Sequence, residues 1–310
     1  MPISDETTVV QPPQACPAFL RYPGAKWVCA RWIIAHFPPH LCYLEPYAGS
    51  AACFFTKPPA KHSVLNDLCG DIVNLFRVIR EQPEELAERL RLTPWAREEY
   101  LACYGWHEDA VERARRFFVR CWQAHGARLA GRSGWSRSSP VCSSRSQVWR
   151  KLPEALYLVA ERLRLAEIES RPALQLIRDA NYAHPETLLY VDPPYILSTR
   201  RERYYQIEMA DADHVQLLEA LDAHPGYVVL SGYAHPLYFS RLAHWQYVTH
   251  QVYSQGGRPR TEVLWLNPRV VQALAARQQQ PALFGSVDEP PFMSADADAS
   301  SVVCAEEEEQ

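Results

Sequence analysis

Residues 188–195 have the sequence LLYVDPPY, an apolar strand pattern that ends abruptly in Asp-Pro-Pro-Tyr. Pro193 and Pro194 have fixed φ angles and no backbone N–H group, so the strand cannot continue through them. Open α/β sheets bind ligands where such strands end. Asp192 and the Pro193 carbonyl would then accept hydrogen bonds beside the flat ring of Tyr195, which suits an exocyclic amino group on a planar base. The structural alternative is a strand-ending turn with a capping Asp and a core Tyr.

Around this stretch, short runs rich in Val, Ile, Leu and Tyr alternate with longer helical patterns, which indicates an α/β protein with a mostly parallel sheet. The predicted strands are residues 42–45, 63–65, 166–169, 187–191, 227–230, 246–250 and 262–266. The predicted helices are residues 26–36, 71–81, 83–90, 97–105, 112–125, 152–164 and 211–223. Seven strands suit a doubly wound sheet. Residues 126–147 show neither period, which predicts a long loop within an insertion over 82–160.

Composition predicts a globular chain of the cytoplasm. The 310 residues are 47% hydrophobic and 22% charged, and no apolar run approaches the length of a membrane helix. The nine cysteines form no C-x-x-C pair, so neither a zinc site nor a disulfide framework is expected. Polar, proline-containing residues 1–17 predict a flexible leader, and acidic residues 278–310 predict a disordered tail.

A second turn follows the strand at 42–45, with the sequence LEPYAGSAA over residues 44–52. Gly49 allows the backbone to approach a ligand closely, and Glu45 can accept hydrogen bonds from hydroxyl or ammonium groups. The full G-x-G-x-x-G pattern is absent, which disfavours a dinucleotide site. Asp67 ends the next strand, at the position from which a carboxylate binds ribose hydroxyls. Its structural alternative is a helix N-cap.

Charge is distributed unevenly along the chain. The net charge is -4, yet residues 111–151 contain nine Arg and one Lys against a single acid. The acidic pI therefore does not exclude a polyanionic partner, because binding depends on the local basic patch. Trp122, Trp135 and Trp149 lie among these arginines, and we expect phosphate contacts, base readout and a possible intercalating wedge from this segment.

Five motifs together resemble the Dam-type class-alpha DNA adenine N6-methyltransferases. They are FLRYPGAK (19–26), LEPYAGS (44–50), LND (65–67), LYVDPPY (189–195) and RTEVLWLN (260–267), and their order and spacing match over residues 18–268. The resemblance implies an S-adenosylmethionine-binding sheet with an antiparallel last strand. It also implies a catalytic domain over 18–81 and 161–270, with a mainly helical target-recognition lobe inserted at 82–160.

The resemblance assigns roles position by position. Tyr22 and Lys26 would line the cofactor pocket, Glu45, Tyr47 and Gly49 would form its turn, and Asp67 would hold the ribose. Asp192, Pro193, Pro194 and Tyr195 would hold the target base, with Asp192 also beside the cofactor. The candidates for binding double-stranded DNA come instead from the basic segment: Arg128, Arg132, Trp135, Arg137 and Arg145. One departure concerns Arg171-Pro172, which stands where such proteins often carry an acid near the cofactor adenine, with Glu169 close enough to substitute.

The implied activity is methyl transfer from S-adenosylmethionine to the amino group of adenine in a specific duplex sequence, by base flipping and in-line attack, without a metal. The alternatives are the same chemistry on cytosine N4, on RNA adenine or on a protein glutamine, and a non-catalytic DNA-binding relative. C5-cytosine chemistry is disfavoured because no Cys stands near Asp192 to act as the nucleophile.

Overall fold

The computed structural model describes residues 16–125, 129, 131–137, 144–199, 205, 207–253 and 259–279. These ranges contain seven strands: β1 (Cys42–Glu45), β2 (His62–Asn66), β3 (Glu167–Glu169), β4 (Thr187–Val191), β5 (Tyr227–Gly232), β6 (Gln246–Tyr253) and β7 (Pro259–Leu266). Their order across the sheet is β3, β2, β1, β4, β5, β7, β6. Neighbouring strands from β3 to β5 pair in parallel, and β7 is antiparallel to both β5 and β6. The predicted fold class and all seven strands are confirmed.

Both faces of the sheet are covered, which explains why the central strands are almost entirely apolar. Successive residues of β4 alternate between two clusters: Leu188 and Tyr190 pack in one, and Leu189 and Val191 pack in the other. Side chains along a strand point alternately to opposite faces, so each central strand supplies both cores. All five residues of β4 are buried.

The described residues contain eleven helices: α1 (Ala30–Ile34), α2 (Ala52–Thr56), α3 (Gly70–Glu81), α4 (Pro83–Arg91), α5 (Arg97–Ala102), α6 (Ala110–Gln123), α7 (Arg145–Leu163), α8 (Ala173–Ile177), α9 (Asp211–Asp222), α10 (Pro236–Arg241) and α11 (Pro268–Gln279). The seven predicted helices are confirmed with altered ends. The first begins at Ala30 and not at Lys26, because residues 22–29 form hydrogen-bonded turns. The predicted loop over 126–147 was too long at its C-terminal end, because α7 already begins at Arg145.

Helices α4 to α7 fill the predicted insertion, and they share a core with the sheet. Phe117 and Phe118 of α6 and Leu156 of α7 belong to the same buried cluster as Leu188 of β4. Two predictions for the basic segment were wrong: Trp122 and Trp149 are buried and donate indole hydrogen bonds to the carbonyls of Phe19 and Thr93. They are core residues, so neither can act as a wedge in DNA.

Several predicted features reach beyond the described residues. Residues 1–15 of the predicted leader lie outside the described residues. Of the remaining two, Cys16 is buried and donates a hydrogen bond to the Leu158 carbonyl. The predicted tail also lies outside the described residues except for residues 278–279, which end α11. No helix in the described part of the chain is long and apolar enough to cross a membrane.

Candidate active site

A cavity of about 270 Å³ opens where β1, β2 and β4 end. Strand β1 lies between β2 and β4, and the chain adds its next strands on opposite sides of β1, so the strand order reverses here. Such a switch point leaves a crevice outside the carboxyl ends of the strands. Eight of the predicted site residues line the cavity: Tyr22, Lys26, Glu45, Tyr47, Gly49, Asp67, Asp192 and Pro194. Pro193 and Tyr195 are not among its lining residues.

Asp192 directly follows β4, and its two carboxylate oxygens have different environments. Oδ2 accepts a hydrogen bond of 2.7 Å from Lys26 Nζ. Oδ1 is buried and makes no hydrogen bond within the described residues, while the Tyr195 hydroxyl interacts with the carboxylate and lowers its pKa. Burial raises the pKa of Asp192, an effect that the Lys26 ammonium opposes. An unsatisfied buried acceptor is costly, and Asp192 lines the cavity, so Oδ1 is the oxygen left for a ligand N–H group.

Lys26 lies in the turn before α1. Through its hydrogen bond to Asp192 it connects the FLRYPGAK motif to residues 192–195, which we call the active loop. Its Nζ donates to the Gly24 carbonyl at 2.9 Å and lies 3.7 Å from Glu262 Oε1. Burial alone would lower the pKa of Lys26, but the carboxylates of Asp192 and Glu262 together hold it well above its usual value. The ammonium therefore stays charged and fixes Oδ2 of Asp192 in place.

Tyr195 lies behind the cavity wall, with 8% of its surface exposed. Lys26 Nζ lies 4.9 Å from the centre of its ring, and the ring of Tyr233 packs edge-on against it at 4.5 Å between centroids. The flat face that the sequence predicts for a base is thus largely covered in this conformation. Stacking of a target base on Tyr195 stays a prediction that requires local opening.

Glu45 ends β1 and is 2% exposed. Burial raises its pKa to about 8, although the hydroxyl of Tyr43 donates to Oε2 at 2.9 Å and lowers it in part; the charge of Asp192 raises it further. Near neutral pH this carboxyl group is therefore mostly protonated.

Asp67 is held by two backbone N–H groups: Cys69 donates to Oδ1 and Gly49 donates to Oδ2, both at 2.8 Å. The N-cap position of α3 is Cys69, so Asp67 is not the cap itself. Each oxygen keeps a lone pair for a ligand hydroxyl. Burial raises the pKa of Asp67, and the two N–H groups oppose this. Gly49 has a φ of 48°, and a Cβ there would lie 3.1 Å from the ring of Tyr22.

The side of the cavity formed by the start of α8 is apolar. Pro172, Ala173 and Leu174 line it, and the Asn66 side chain holds this segment through hydrogen bonds with both backbone groups of Arg171. Glu169, expected as a substitute acid, does not line the cavity; it lies 3.8 Å from Arg171, which also pairs with Asp179. The prediction that Glu169 replaces the missing acid near the cofactor adenine is therefore not supported.

Sequence reasoning missed Glu262, Ser231 and Tyr190. Tyr190 lines the cavity, and the other two form a buried hydrogen bond with each other behind it. Glu262 was available in the RTEVLWLN motif as an acid within an apolar strand. Nothing in the sequence pairs it with Lys26, 236 positions earlier.

The predicted DNA-binding residues lie around residues 131–145. Arg132 and Arg137 are exposed, and Arg132 stacks over Tyr104 at 5.3 Å from its centroid. Trp135 is half-buried and donates to Gln123 Oε1, while Arg97 lies over its ring. Arg145 Nε donates to the Arg137 carbonyl. Arg128 falls outside the described residues.

The arginines of α6 are less available than the local charge suggests. Arg115 pairs with Glu112 and Glu99, Arg116 pairs with Glu112, and Arg120 pairs with Asp71 of α3. Glu99 and Asp71, which lie outside residues 111–151, therefore pair with two of the ten cations of this segment. Among the described residues of this segment, the exposed cations are Arg132, Arg137, Arg150 and Lys151.

The sheet order and the cavity define a protein of the methyltransferase fold. The model of the D12 class N6 adenine-specific DNA methyltransferase family matches residues 22–246, and the chain belongs to this family. It is also similar to the Type II methyltransferase M1.LlaDCHI of Lactococcus lactis subsp. cremoris, with 25% identity over 243 residues that cover 69% of this chain and 82% of the relative. The predicted enzyme class, adenine-specific DNA methylation, is confirmed.

Proposed function

We propose that this enzyme takes its methyl group from S-adenosylmethionine and transfers it to N6 of an adenine that is extruded from a specific duplex sequence. The buried, unpartnered Oδ1 of Asp192 carries the proposal. Asp192 lines the cavity, and Lys26 already occupies its second oxygen, so Oδ1 is the acceptor left for a base amino group. The family match supports adenine in DNA as the acceptor over cytosine, RNA or protein.

The chemistry of the cavity fits this methyl donor. The carboxyl groups of five residues line the cavity, against the single ammonium of Lys26: Glu45, Asp67, Asp192, Glu208 and Asp213. Even with Glu45 protonated, this excess of acids suits a ligand that carries a sulfonium and an ammonium. Asp67 would hold the ribose hydroxyls, and the apolar wall at Leu174 would cover a flat ring. The bound cofactor supplies an activated methyl group. Asp67 and Asp192 would therefore bind and orient the methyl donor, whose methyl group does not need activation by a metal.

Asp192 would act on the acceptor. The N6 lone pair is delocalised into the adenine ring, and hydrogen bonds from N6 to Asp192 Oδ1 and to the Pro193 carbonyl favour a more tetrahedral nitrogen. With a donor held by Asp67 and Asp192, the N6 lone pair would form the new N–C bond to the methyl group that the sulfonium supplies, and the electron pair of the broken S–C bond would stay on sulfur. N6 carries the positive charge until one of its protons leaves through Asp192 to solvent. Asp192 need not be a strong base, because this proton becomes acidic only after attack.

Base extrusion costs a few kcal/mol, which contacts elsewhere on the duplex must offset. We propose that Arg132, Arg137 and Arg145 supply phosphate contacts and that Trp135 contributes at the base edges, with Arg128 as a further candidate beyond the described residues. The exposure of Arg132 and Arg137 supports this assignment.

The test is incubation of the full chain with methyl-labelled S-adenosylmethionine and genomic DNA that lacks adenine methylation. Mass spectrometry of the nucleosides should show N6-methyladenine, and sequencing that detects modified bases should locate it in one recurring motif. A parallel reaction with single-stranded DNA of the same sequence controls for the duplex requirement. Label in N4-methylcytosine, or label without a recurring motif, would contradict the proposal.

A further inference from the structure

Glu262 is a buried acid in β7. It has no part in the roles predicted from the sequence motifs or in the proposed reaction. It is 4% exposed. Its Oε1 accepts hydrogen bonds from the hydroxyl of Tyr195 and, at 2.9 Å, from Ser231 Oγ, and lies 3.7 Å from Lys26 Nζ. One oxygen atom thus contacts side chains from the active loop, from β5 and from the N-terminal turn.

We propose that Glu262 is a positioning residue for methyl transfer: it fixes Tyr195 and Lys26, and through Lys26 it holds Asp192 with Oδ1 directed at the target amino group. This inference rests on the proposed function, because it specifies what keeps the acceptor site in its reactive arrangement. Glu262 does not itself line the cavity.

The position of Glu262 follows from the antiparallel direction of β7. Gly232, the last residue of β5, is paired with Val263, so Glu262 lies just beyond the carboxyl end of β5. A parallel strand would present its own carboxyl end at this edge. The reversed strand instead delivers a residue from its middle, where the neighbouring apolar residues Val263 and Leu264 are buried and anchor it.

Charge gives Glu262 a second effect. Asp192 and Glu262 together place two carboxylates against one ammonium, so the cluster carries one net negative charge in a buried setting. Positive charge develops on the amino nitrogen during transfer, and a fixed negative charge nearby stabilises it more than water would. Removing the charge of Glu262 while keeping its shape should therefore slow the chemical step more than it weakens DNA binding.

The test compares Glu262→Gln with the wild type in single-turnover methylation of duplex DNA. Gln keeps an acceptor oxygen for Tyr195 and Ser231 but loses the charge. We expect a rate about tenfold to a hundredfold lower, with DNA affinity changed by less than about threefold. Glu219→Gln is the matched control, since Glu219 is exposed in α9 and pairs only at the surface with Arg241, and its rate should equal that of the wild type.

The pH profile separates positioning from a merely structural role. The charged and titratable groups that interact with Asp192 come from several elements: Lys26, Cys29, Tyr43, Glu45, Cys53, Tyr190, Tyr195, Tyr238 and Glu262. The charge of Glu262 raises the pKa of Asp192, so its removal should move the acid limb of the rate profile to lower pH. A wild-type rate in the Gln variant, or a slower rate with an unmoved acid limb, overturns the proposal.

Tyr195→Phe keeps the inference testable if the Gln variant is unstable. This change removes the donated hydroxyl and keeps the ring, and we expect a rate about threefold to tenfold lower; a wild-type rate overturns the proposal. The wild type in the same assay tests the proposed function separately: if it makes no N6-methyladenine, that function fails, whatever the variant rates show.

Discussion

Glu45→Gln should stabilise the protein in a pH-dependent way. The native carboxyl group is 2% exposed, and burial raises its pKa from 4.5 to about 8. Gln has nearly the same shape and can still accept the Tyr43 hydroxyl hydrogen bond, but it does not titrate. The comparison therefore isolates the free energy of ionising a carboxyl group at the end of β1.

The magnitude follows from linkage between protonation and folding. When a group has a higher pKa in the folded state than in the unfolded state, its protonation stabilises the fold. This stabilisation is complete at pH values below the pKa of the unfolded state, and it is lost as the pH rises through the pKa of the folded state. Between pH 4.5 and 8 the loss is about 1.36 kcal/mol per pH unit, or about 5 kcal/mol at most. Relative to the wild type, Glu45→Gln should thus gain about 2.7 kcal/mol in free energy of unfolding between pH 5 and pH 7.

Urea unfolding followed by tryptophan fluorescence at pH 5, 6, 7 and 8.5 measures this difference. Glu219→Gln serves as the control, because this exposed side chain should show a small difference that hardly varies with pH. A stability difference for Glu45→Gln that stays constant from pH 5 to pH 8.5 would refute the reasoning, since it would mean that Glu45 ionises normally in the folded protein.

Three further changes test the remaining parts of the site. Asp192→Asn should lower the methyl-transfer rate at least about a hundredfold while S-adenosylmethionine binding, measured by calorimetry, changes less than tenfold; loss of the fold would instead make Asp192 structural. Gly49→Ala places a side chain at a φ of 48° and 3.1 Å from the ring of Tyr22, and should cost about 1–2 kcal/mol of stability and weaken donor binding; an unchanged affinity would remove this turn from the donor site. Arg132→Ala should reduce the salt dependence of DNA binding by about one unit of log–log slope, with Arg241→Ala as the control; an unaltered slope would exclude Arg132 from the interface.

Local patterns predicted the sheet well because its strands are short apolar runs bounded by proline, glycine or charge. Strand β4 was predicted with its observed ends. Short helices were missed, since α2, α8 and α10 have five or six residues and cannot display a helical period. The twelve-residue α11 was missed although Asn267 accepts a hydrogen bond from the Val270 N–H group and Pro268 opens the helix, which is a recognisable start.

The basic segment shows the opposite case, in which composition misled. Trp122 and Trp149 have the residue type expected of an interface, yet both are buried in the shared core. Arg120 belongs to a strongly positive stretch, yet it pairs with Asp71 from another helix. Burial and pairing depend on neighbours that are distant along the chain, so the local charge of a segment does not determine its exposed charge.

The sequence alone determined an α/β sheet in which Glu45 ends a strand and Asp67 and Asp192 directly follow two others, because strand periodicity and proline geometry act over a few adjacent residues. Which oxygen of Asp192 is free, that Glu45 stays largely protonated at neutral pH, and that Glu262 reaches Tyr195 and Lys26 were decided by the tertiary structure. The physical reason is that desolvation and hydrogen-bond pairing arise only when segments far apart in the chain exclude water from the same small volume.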